Sequence, residues 1–593
     1  MRNVFPRAGL LLAVLMLAAG VAACGGGDSG KGGSDSSGEK PATAGAPVQG
    51  RQGGKLTMLW TDDVDFIDPG ESYYQMGYMV NSATQKPLYS YRPDDGAKLV
   101  PDMAESLPEV TEDGRTVTVK LRKGVRFSPP VSREVKAKDV KYAIERGFFN
   151  TVNNGYAPIY FNVIKGAKAG VKPGTKIAGI ETPDDYTLVF HTAKPAGVLG
   201  AAALGMTLTA PVPEEYARKF DAKNPSTYGQ HQVATGPYMI ENDGEGNAIG
   251  YEAGKRIHLV RNPNWDKSLD FKPAYLDEID MPQGNDDTTV AARKILEGSH
   301  MLSGDFSPPP PILKAAVTRR KSQLVAEPSA AWRMVSLNTT IKPFNDVNVR
   351  KAVLAGFDRR AMQLARGGAL VGDIPTHFIP PGIPGFEEAG GMKGPGMDFM
   401  TADGKPNPQL SAEYLKKAGY ASGRYEGKDE LLMVGTSEGV AQKAAEIAKE
   451  NFERMGFKVR LRLVTQDAMY TRFCNVPRAE VAICPNVAWG KDFSDAQTIL
   501  DLTFNGDNII PSNNSNWPQL DDKALNAEME KAKLLTDPAE RAKAWGEVDR
   551  KLTALAPSVL WIWDKQPLVS SADVNGVLSE YNSQWDLAWS SLK

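Results

Sequence analysis

Alternation of apolar and polar residues predicts the strands of this chain, and apolar residues at helical spacing predict its helices. Residues 116–121 alternate Val and Leu with Thr and Lys, which is the period of a strand with one buried face. In residues 138–149, Val140, Ile144 and Phe148 recur at helical spacing, with Asp139 in the first turn. Residues 55–60 are typical of a further strand.

The same mixture continues in the second half of the chain. Residues 431–434 predict a strand, 440–455 a helix and 459–464 a second strand. Strand, helix and strand at these lengths indicate a βαβ unit, and therefore an α/β fold. Residues 379–395 are rich in Pro and Gly, which predicts a surface loop.

The amino-terminal region has the three-part pattern of a secretory signal. Arg2 and Arg7 precede an apolar run over 9–21, which is too short to span a bilayer as a stable helix. The run ends in Val21-Ala22-Ala23-Cys24, which resembles the lipobox of bacterial lipoproteins, where the cysteine is acylated and becomes the first residue. We expect a signal peptide over 1–23 and lipidation of Cys24. The alternative is simple secretion with a free thiol there.

A polar segment follows the predicted lipidation site. Residues 24–54 are rich in Gly and Ser and cannot bury enough surface to fold, so we expect a flexible linker with a reach of roughly 30 Å. No later segment has 18 consecutive apolar residues. The expected location is the outer face of the cytoplasmic membrane, with the lipid as the membrane attachment.

Composition and cysteine content limit the possible functions. The formal net charge is -2 and no basic block occurs, so the electrostatic pattern of a nucleic-acid binder is missing. Two cysteines follow the lipobox, Cys474 and Cys484, and a disulfide is permitted outside the reducing cytosol. Without a histidine cluster they form a poor zinc site, and we expect no cofactor.

One motif raises the possibility of catalysis. Residues 435–439 spell G-T-S-E-G between a predicted strand and a predicted helix, the context of a nucleophile elbow. In that fold the histidine follows the serine, whereas all five histidines of this chain, from His191 to His377, precede Ser437. The segment is then a helix entry, and we expect no enzyme.

A series of short motifs occurs in a fixed order from residue 67 onward. These motifs are I-D-P at 67–69, P-D-M-A-E-S at 101–106, D-G at 113–114, L-R-K-G-V-R-F at 121–127, A-K-D-V at 137–140, T-G-P-Y at 235–238, R-N-P at 261–263, and L-N, P-F, D and V-R-K-A within 337–352. Together they resemble the motifs of one family, the extracellular solute-binding proteins of family 5, which bind dipeptides and oligopeptides for ABC importers. Two of the family's usual motifs differ here: Ser128-Pro129-Pro130 replaces H-D-G, and Gly298-Ser299-His300 replaces G-E-x-D. These departures leave the ligand class open.

The resemblance implies a two-lobed α/β fold of the periplasmic-binding-protein type, with a ligand cleft between the lobes. The chain would cross between lobes near 327–338 and return near 557–567. Lobe one would then comprise 55–326 plus 568–593, and lobe two 327–567.

The resemblance also implies the function and the partners. The chain would be a monomeric substrate-binding component that captures peptides for ABC permease subunits in the membrane. Two alternatives stay open at this point. The ligand could be an oligosaccharide or another small solute, or the protein could be a lipoprotein that reports a ligand to a signalling receptor.

Site residues follow from the same resemblance. In peptide-binding relatives an aspartate after a Gly-Trp strand pairs with the ligand amine, and Trp489-Gly490-Lys491-Asp492 has the Trp and the Asp at the matching spacing. We therefore expect Asp492 to bind the amine; the alternative is that it caps the following helix. Trp489, Trp517 and Trp563 lie in segments that approach the cleft, where they would pack on ligand side chains or belong to the core. A disulfide between Cys474 and Cys484 would steady the segment that leads to Asp492.

Overall fold

The computed structural model describes residues 45–593 except 438 and 512. The described residues belong to one compact unit. The predicted signal peptide, the predicted lipidation site at Cys24 and most of the predicted linker lie outside the described residues. In the part of the chain that is described, no helix is both long and apolar enough to cross a membrane.

Strands and helices alternate along the described chain, as the hydrophobic pattern predicts. The strands are β1 Lys55–Leu59, β2 Tyr89–Arg92, β3 Asp95–Pro101, β4 Glu109–Val110, β5 Thr116–Lys120, β6 Ile180–Asp184, β7 Thr187–His191, β8 Tyr238–Ile240, β9 Tyr251–Glu252, β10 Arg256–Arg261, β11 Glu278–Pro282, β12 Met301–Ser303, β13 Leu324–Leu337, β14 Gly372–Asp373, β15 Glu430–Thr436, β16 Lys458–Val464, β17 Ile483–Gly490, β18 Ser558–Val569, β19 Val574–Asn575, β20 Leu578–Ser579, β21 Gln584–Trp585 and β22 Ser591–Leu592.

Most of the helices are short, and the longest ones belong to the second half of the chain. They are α1 Gln75–Thr84, α2 Ala137–Arg146, α3 Ala157–Tyr160, α4 Gly197–Ala201, α5 Glu214–Asp221, α6 Thr288–Glu297, α7 Pro310–Arg319, α8 Val347–Gly356, α9 Arg359–Arg366, α10 Phe386–Ala389, α11 Pro408–Lys417, α12 Gly439–Arg454, α13 Gln466–Ala468, α14 Gln497–Phe504, α15 Lys523–Lys533 and α16 Pro538–Leu555.

The first lobe is built on a sheet in the order β12-β1-β11-β10-β8, with β9 beside β10. The apolar first strand lies inside this sheet, parallel to both of its neighbours. A second sheet of this lobe has the order β4-β5-β7-β6. Its strand β5 buries Val117 and Val119 and turns the alternate Thr side chains outward, which is the half-buried pattern that the sequence predicts.

The second lobe is built on the sheet β14-β18-β13-β17-β15-β16. Strands β15 and β16 are parallel and joined by α12, so the predicted βαβ unit is confirmed. The long strands β13 and β18 pair antiparallel, from Leu324 with Val569 at one end to Ser336 with Ser558 at the other. The first of these ends meets the first lobe, because the backbone of Val569 donates to Ser303 Oγ in β12 over 2.9 Å.

Cys474 and Cys484 form a disulfide, with their Cα atoms 6.2 Å apart. Cys474 ends a helical turn that continues α13, and Cys484 lies near the start of β17. The predicted bridge is therefore confirmed. It ties the strand that leads to Asp492 to the segment that precedes it.

Two of the predicted loops are more ordered than expected. Within 379–395, Ile379, Ile383, Phe386 and Ala389 are buried in the core of the second lobe, and α10 forms there. The expectation of a surface loop is wrong for these four residues, because an apolar residue every few positions lets a Pro/Gly-rich segment pack. The part of the predicted linker that follows residue 44 is also held by the body, since Gly45 bridges to Val577 and Arg51 to Leu592.

A buried ion-pair triad joins three segments of the first lobe. Arg146, the last residue of α2, is fully buried between Asp68 and Asp221. Its guanidinium donates to Asp68 Oδ2 over 2.7 Å and to Asp221 Oδ2 over 2.8 Å. Tyr142 also donates to Asp221 over 2.8 Å. Asp68 belongs to the I-D-P motif, so this motif serves the core of the lobe.

We expect Arg146→Met to destabilise the first lobe by roughly 3–5 kcal/mol, because the substitution leaves two carboxylates buried without a cation. Urea unfolding followed by tryptophan fluorescence measures the loss. Arg218→Met is the matched control: Arg218 is exposed and pairs with Glu214 on the surface, so its loss should leave the unfolding midpoint close to that of the parent protein. Equal unfolding midpoints for the two variants would contradict the role given to the triad.

Candidate functional site

Asp492 lies where a segment of the second lobe contacts the first lobe. It follows β17, and the backbone of the preceding Lys491 still donates to Ala330 O of the β13 strand over 3.3 Å. The next residue, Phe493, is fully buried in the core of the first lobe. Its ring packs edge-on against Tyr160 with 4.9 Å between the ring centroids. Asp492 is thus placed at the boundary between the lobes, with 6% of its surface exposed.

Three tyrosines of the first lobe surround Asp492. The Tyr160 hydroxyl donates to Asp492 Oδ2, and the Tyr73 hydroxyl is hydrogen-bonded to the same carboxylate. The Tyr581 hydroxyl donates to the Asp492 carbonyl oxygen over 2.7 Å. These tyrosines come from the segment after β1, from α3 and from the carboxyl-terminal region. An aspartate of one lobe is therefore held by hydroxyl groups of the other.

The Asp492 carboxylate has hydrogen bonds but no cation. None of the ion pairs formed by the described residues includes it. Burial raises the pKa of Asp492 to about 6, although the hydrogen bonds from Tyr160 and Tyr73 favour the ionised form. A buried carboxylate in this position can accept a positively charged group of a ligand.

Lys491 is the cationic residue next to Asp492 in the chain, but its side chain points to other groups. Its Nζ donates to Glu580 O over 3.3 Å and lies 5.2 Å from the centroid of the Tyr581 ring. Burial lowers the pKa of Lys491 to about 7, so the protonated and neutral forms of its amine coexist near neutral pH.

Asp492 does not cap the following helix, which was the alternative role for this residue. Asp495 is the acidic residue at the start of α14, where its Oδ1 accepts from the backbone of Gln497 over 2.8 Å. Asp495 is also paired with Arg541 over 2.6 Å. Helix entry therefore depends on Asp495, three residues later, and the Asp492 side chain is free of that role.

Two of the three predicted tryptophans are part of the core. Trp517 and Trp563 are 5% and 2% exposed and belong to the core of the second lobe. Trp517 Nε1 donates to Asn475 over 2.7 Å, and Trp563 packs between His377 and Phe386. Contact of these two with a ligand stays a prediction, which their burial in this structure does not favour.

Trp489 is the predicted tryptophan that retains some exposure. It is partly buried on β17, opposite the fully buried Trp332 of β13, which in turn lies opposite Trp563 of β18. The three rings therefore form a row across neighbouring strands. The Trp489 Nε1 donates to Thr498 O over 2.7 Å, which fixes the ring near the start of α14.

Sequence reasoning missed Trp332 and the three tyrosines around Asp492. Trp332 lies in the predicted crossing segment. It is far from Trp489 in the sequence, so no local pattern shows that the two residues lie opposite each other on neighbouring strands. Tyr73, Tyr160 and Tyr581 are spread over more than 500 residues of sequence with no shared motif. Only the packing of the two lobes brings all three to Asp492.

The G-T-S-E-G segment and the possible metal ligands give no second site. Ser437 Oγ donates to Val464 O over 3.2 Å, which holds the serine to the neighbouring strand. Within residues 45–593, apart from 438 and 512, no group of three or more His, Cys, Asp or Glu side chains could hold a metal ion.

Comparisons with known proteins agree with this architecture. The di/tripeptide-binding protein 3 of Pseudomonas aeruginosa is 23% identical over 468 residues, which cover 78% of this chain and 80% of that protein. The haem-binding protein A of Haemophilus influenzae is 25% identical over 474 residues, 78% of each chain. The solved structure of the clavulanic acid biosynthesis oligopeptide binding protein 2 is 24% identical and superposes with a TM-score of 0.79 over 93% of this chain and 97% of that chain.

The model of one protein family, described as bacterial extracellular solute-binding proteins, family 5 Middle, matches residues 98–510. This match covers well over half of the chain, including both the crossing strand β13 and the Asp492 segment. The chain therefore belongs to the bacterial extracellular solute-binding proteins of family 5.

Proposed function

We propose that this protein is the peptide-capturing component of an ABC importer, and that Asp492 binds the free amine of the peptide. The observation that carries the proposal is the buried Asp492 carboxylate, which has two hydroxyl donors and no cationic partner among the described residues. A peptide binder must tolerate many side chains while it requires a free amino terminus. A buried carboxylate that lacks a charge partner meets this requirement, because only a ligand with an ammonium group neutralises it.

The position of Asp492 also links ligand binding to the arrangement of the lobes. A ligand amine at Asp492 would contact the second lobe through the carboxylate and the first lobe through the surrounding tyrosine side chains. Such a ligand stabilises the arrangement in which both lobes are close together. We propose a hinge in β13 and β18, with lobe one over 55–326 plus 568–593 and lobe two over 327–567. A permease would then recognise the outer faces of both lobes.

Relatives support a peptide as the first ligand class to test. One relative is a di/tripeptide-binding protein and one solved structure is an oligopeptide-binding protein, and both are binding proteins and not enzymes by name. Because a haem-binding relative is equally similar in sequence, haem is the necessary comparison ligand. We propose that Trp489 packs against a side chain of the bound ligand, next to Asp492.

We also propose that the chain acts outside the cell as a lipoprotein anchored through Cys24. The lipobox at 21–24 and the polar segment after it support this location. The proposed anchor leaves the binding lobes free to meet a permease in the same membrane.

Short peptides with a free amino terminus should bind, and their N-acetylated forms should bind far more weakly. Asp492→Asn keeps the shape but removes the charge, and it should lower affinity roughly 30- to several thousand-fold, which corresponds to about 2–5 kcal/mol. Titration calorimetry with trialanine, N-acetyl-trialanine and haem measures these differences.

The control variant for this comparison is Asp507→Asn, which removes an exposed carboxylate of the same lobe. It should bind trialanine like the parent protein. If acetylation has no effect, or if Asp492→Asn binds trialanine as well as Asp507→Asn does, the amine is not recognised by Asp492. Tight binding of haem alone would replace peptides as the ligand class.

Affinity for peptides should also depend on pH. The pKa of Asp492 is raised to about 6, so below pH 6 the carboxyl group is protonated and the pairing with an ammonium is lost. Each pH unit below 6 should weaken binding about tenfold for one linked proton. Above about pH 8 the peptide amine itself loses its charge, so affinity should be greatest between the two values. Calorimetry between pH 5 and 9 tests this, and an acid decline that persists in Asp492→Asn would assign it to another group.

Substitution of the proposed lipidation site should change the location of the protein. Cys24→Ala removes the only thiol in the lipobox, so the protein should appear in the medium or remain as an uncleaved precursor. Cell fractionation with detection by immunoblot distinguishes these forms. Fully processed Cys24→Ala protein that stays with the membrane would contradict the anchor.

A further inference from the structure

A cavity of about 60 Å³ adjoins the Asp492 site inside the first lobe. It lies between α1, the strand β2 and the carboxyl-terminal segment, and Tyr581 forms part of its wall. Tyr581 also donates its hydroxyl to the Asp492 carbonyl oxygen, so one residue borders both places. A cavity of this size has room for a few water molecules or for the head group of a ligand side chain.

Several polar atoms in the wall of this cavity have no partner in the protein. Asn81 is 1% exposed, and neither its amide oxygen nor its amide nitrogen forms a hydrogen bond with any described residue. The same holds for Gln85 Oε1 and for the Tyr78 hydroxyl. Gln85 is also 1% exposed. Buried polar groups are almost always hydrogen-bonded in native proteins, so these atoms indicate a site that takes a polar group from elsewhere.

The charges around the cavity leave one carboxylate in excess. Lys86 pairs with Asp102 and, over 2.8 Å, with Asp270, while Lys272 pairs with Asp102 over 3.2 Å. Two cations therefore balance two of the carboxylates. Asp586, which also lines the cavity, forms no ion pair within the described part of the chain.

Lys272 is the nearest cation to Asp586, but its protons are directed elsewhere. Its Nζ donates to the carbonyl oxygens of Ser82 over 2.9 Å and Gln85 over 3.4 Å, in addition to its contact with Asp102. Asp586 Oδ1 accepts from the backbone of Ala588 over 3.0 Å, and the backbone of Trp589 also donates to this carboxylate, so the donors that it has are neutral amides. Burial raises the pKa of Asp586 to about 6, although the charge of Lys272 opposes the shift, which agrees with a carboxylate that lacks a close partner.

We propose that this cavity is a specificity pocket for a cationic ligand side chain of the lysine or arginine type, with Asp586 as its charge partner and Asn81 and Gln85 as hydrogen-bond acceptors. The inference rests on the proposed peptide function. Because the pocket shares Tyr581 with the Asp492 site, the side chain belongs to a residue near the amino terminus of the peptide.

Other side chains fit the pocket less well for physical reasons. An acidic side chain would add a negative charge to a site that already has one in excess. An apolar side chain would leave the polar atoms of Asn81, Gln85 and Tyr78 without partners. Buried polar groups without partners cost free energy, so the site binds such ligands weakly. A guanidinium offers a positive charge and five N–H donors, which match a carboxylate that has no ion pair among the described residues together with two amide oxygens.

The test compares arginine with citrulline, which has nearly the same shape but no charge. Arg-Ala-Ala should bind the parent protein roughly ten- to a hundredfold more tightly than citrulline-Ala-Ala. Asp586→Asn keeps the acceptor for Ala588 and should remove this preference, while its affinity for citrulline-Ala-Ala stays within about twofold of the parent. Titration calorimetry with both peptides on both proteins gives the four constants.

Asn81→Leu provides a second variant that separates a binding role from a structural one. The Asn81 side chain has no hydrogen-bond partner in the described protein, so a leucine of similar size should raise Tm or leave it unchanged. The same variant should weaken Arg-Ala-Ala by about tenfold or more. A lowered Tm with unchanged affinity would mean that Asn81 serves folding and would overturn its place in the pocket.

The outcomes distinguish this inference from the proposed function. If neither tripeptide binds, the peptide function fails and the pocket fails with it. If both bind equally well to the parent protein, or if Asp586→Asn keeps the arginine preference, the peptide function stands and the pocket assignment is wrong. Binding that is lost on N-acetylation but retains the arginine preference supports both.

Discussion

Backbone pairing between the long strands β13 and β18 is the constraint on which the rest of this structure depends. The two strands form one antiparallel ladder over most of their length. Because β17 pairs with the other edge of β13, its end is brought to the boundary between the lobes. Asp492 follows directly, so the position of the buried carboxylate is a consequence of strand register.

The same ladder contains an irregular region where the lobes join. The register of β13 against β18 shifts between Pro328 and Trp332, and Ala330 has a φ of 48° in the left-handed region. Ser329 Oγ donates across the irregular region to Asp564 O over 2.9 Å. Proline cannot donate to a ladder, and bulges bend a strand locally. The irregular register is therefore a local bend of this strand pair, and the ladder on either side of it stays paired.

The sequence motifs that identify the family are mostly structural. Asn262 of R-N-P donates to the carbonyl of Gly236 in T-G-P-Y over 2.9 Å, so two motifs hold each other. A Cβ at Gly236 would lie 2.8 Å from the backbone of Thr84, which explains the glycine. Arg350 donates to Phe344 O over 2.7 Å and to Leu555 O over 2.8 Å, which fixes α8 to the end of α16. Such motifs predict the fold well and carry little information about the ligand.

Local pattern explains why some predictions from the sequence are confirmed and others are wrong. The half-buried strand at Thr116–Lys120 and the βαβ unit around α12 follow from apolar spacing within a few residues, and the structure contains both. In the 379–395 segment the Pro and Gly content predicts a surface loop, but the spaced apolar residues pack in the core. Burial of Trp517 depends on the neighbouring helices and strands, which no local pattern of the sequence describes.

By itself, the sequence determined the family, the α/β class and the disulfide partners, and it predicted a ligand-binding role for Asp492, which follows Trp489-Gly490. Each of these depends on residues that are close in the chain or on motifs in a fixed order. The tertiary structure decided the environment of that aspartate, because Tyr73, Tyr160 and Tyr581 meet it only when the lobes come together. It also decided which charges remain unpaired, since Asp492 and Asp586 differ from other aspartates only in the groups that folding places around them. Ion pairing is a property of distances in space, and the sequence contains no direct measure of those distances.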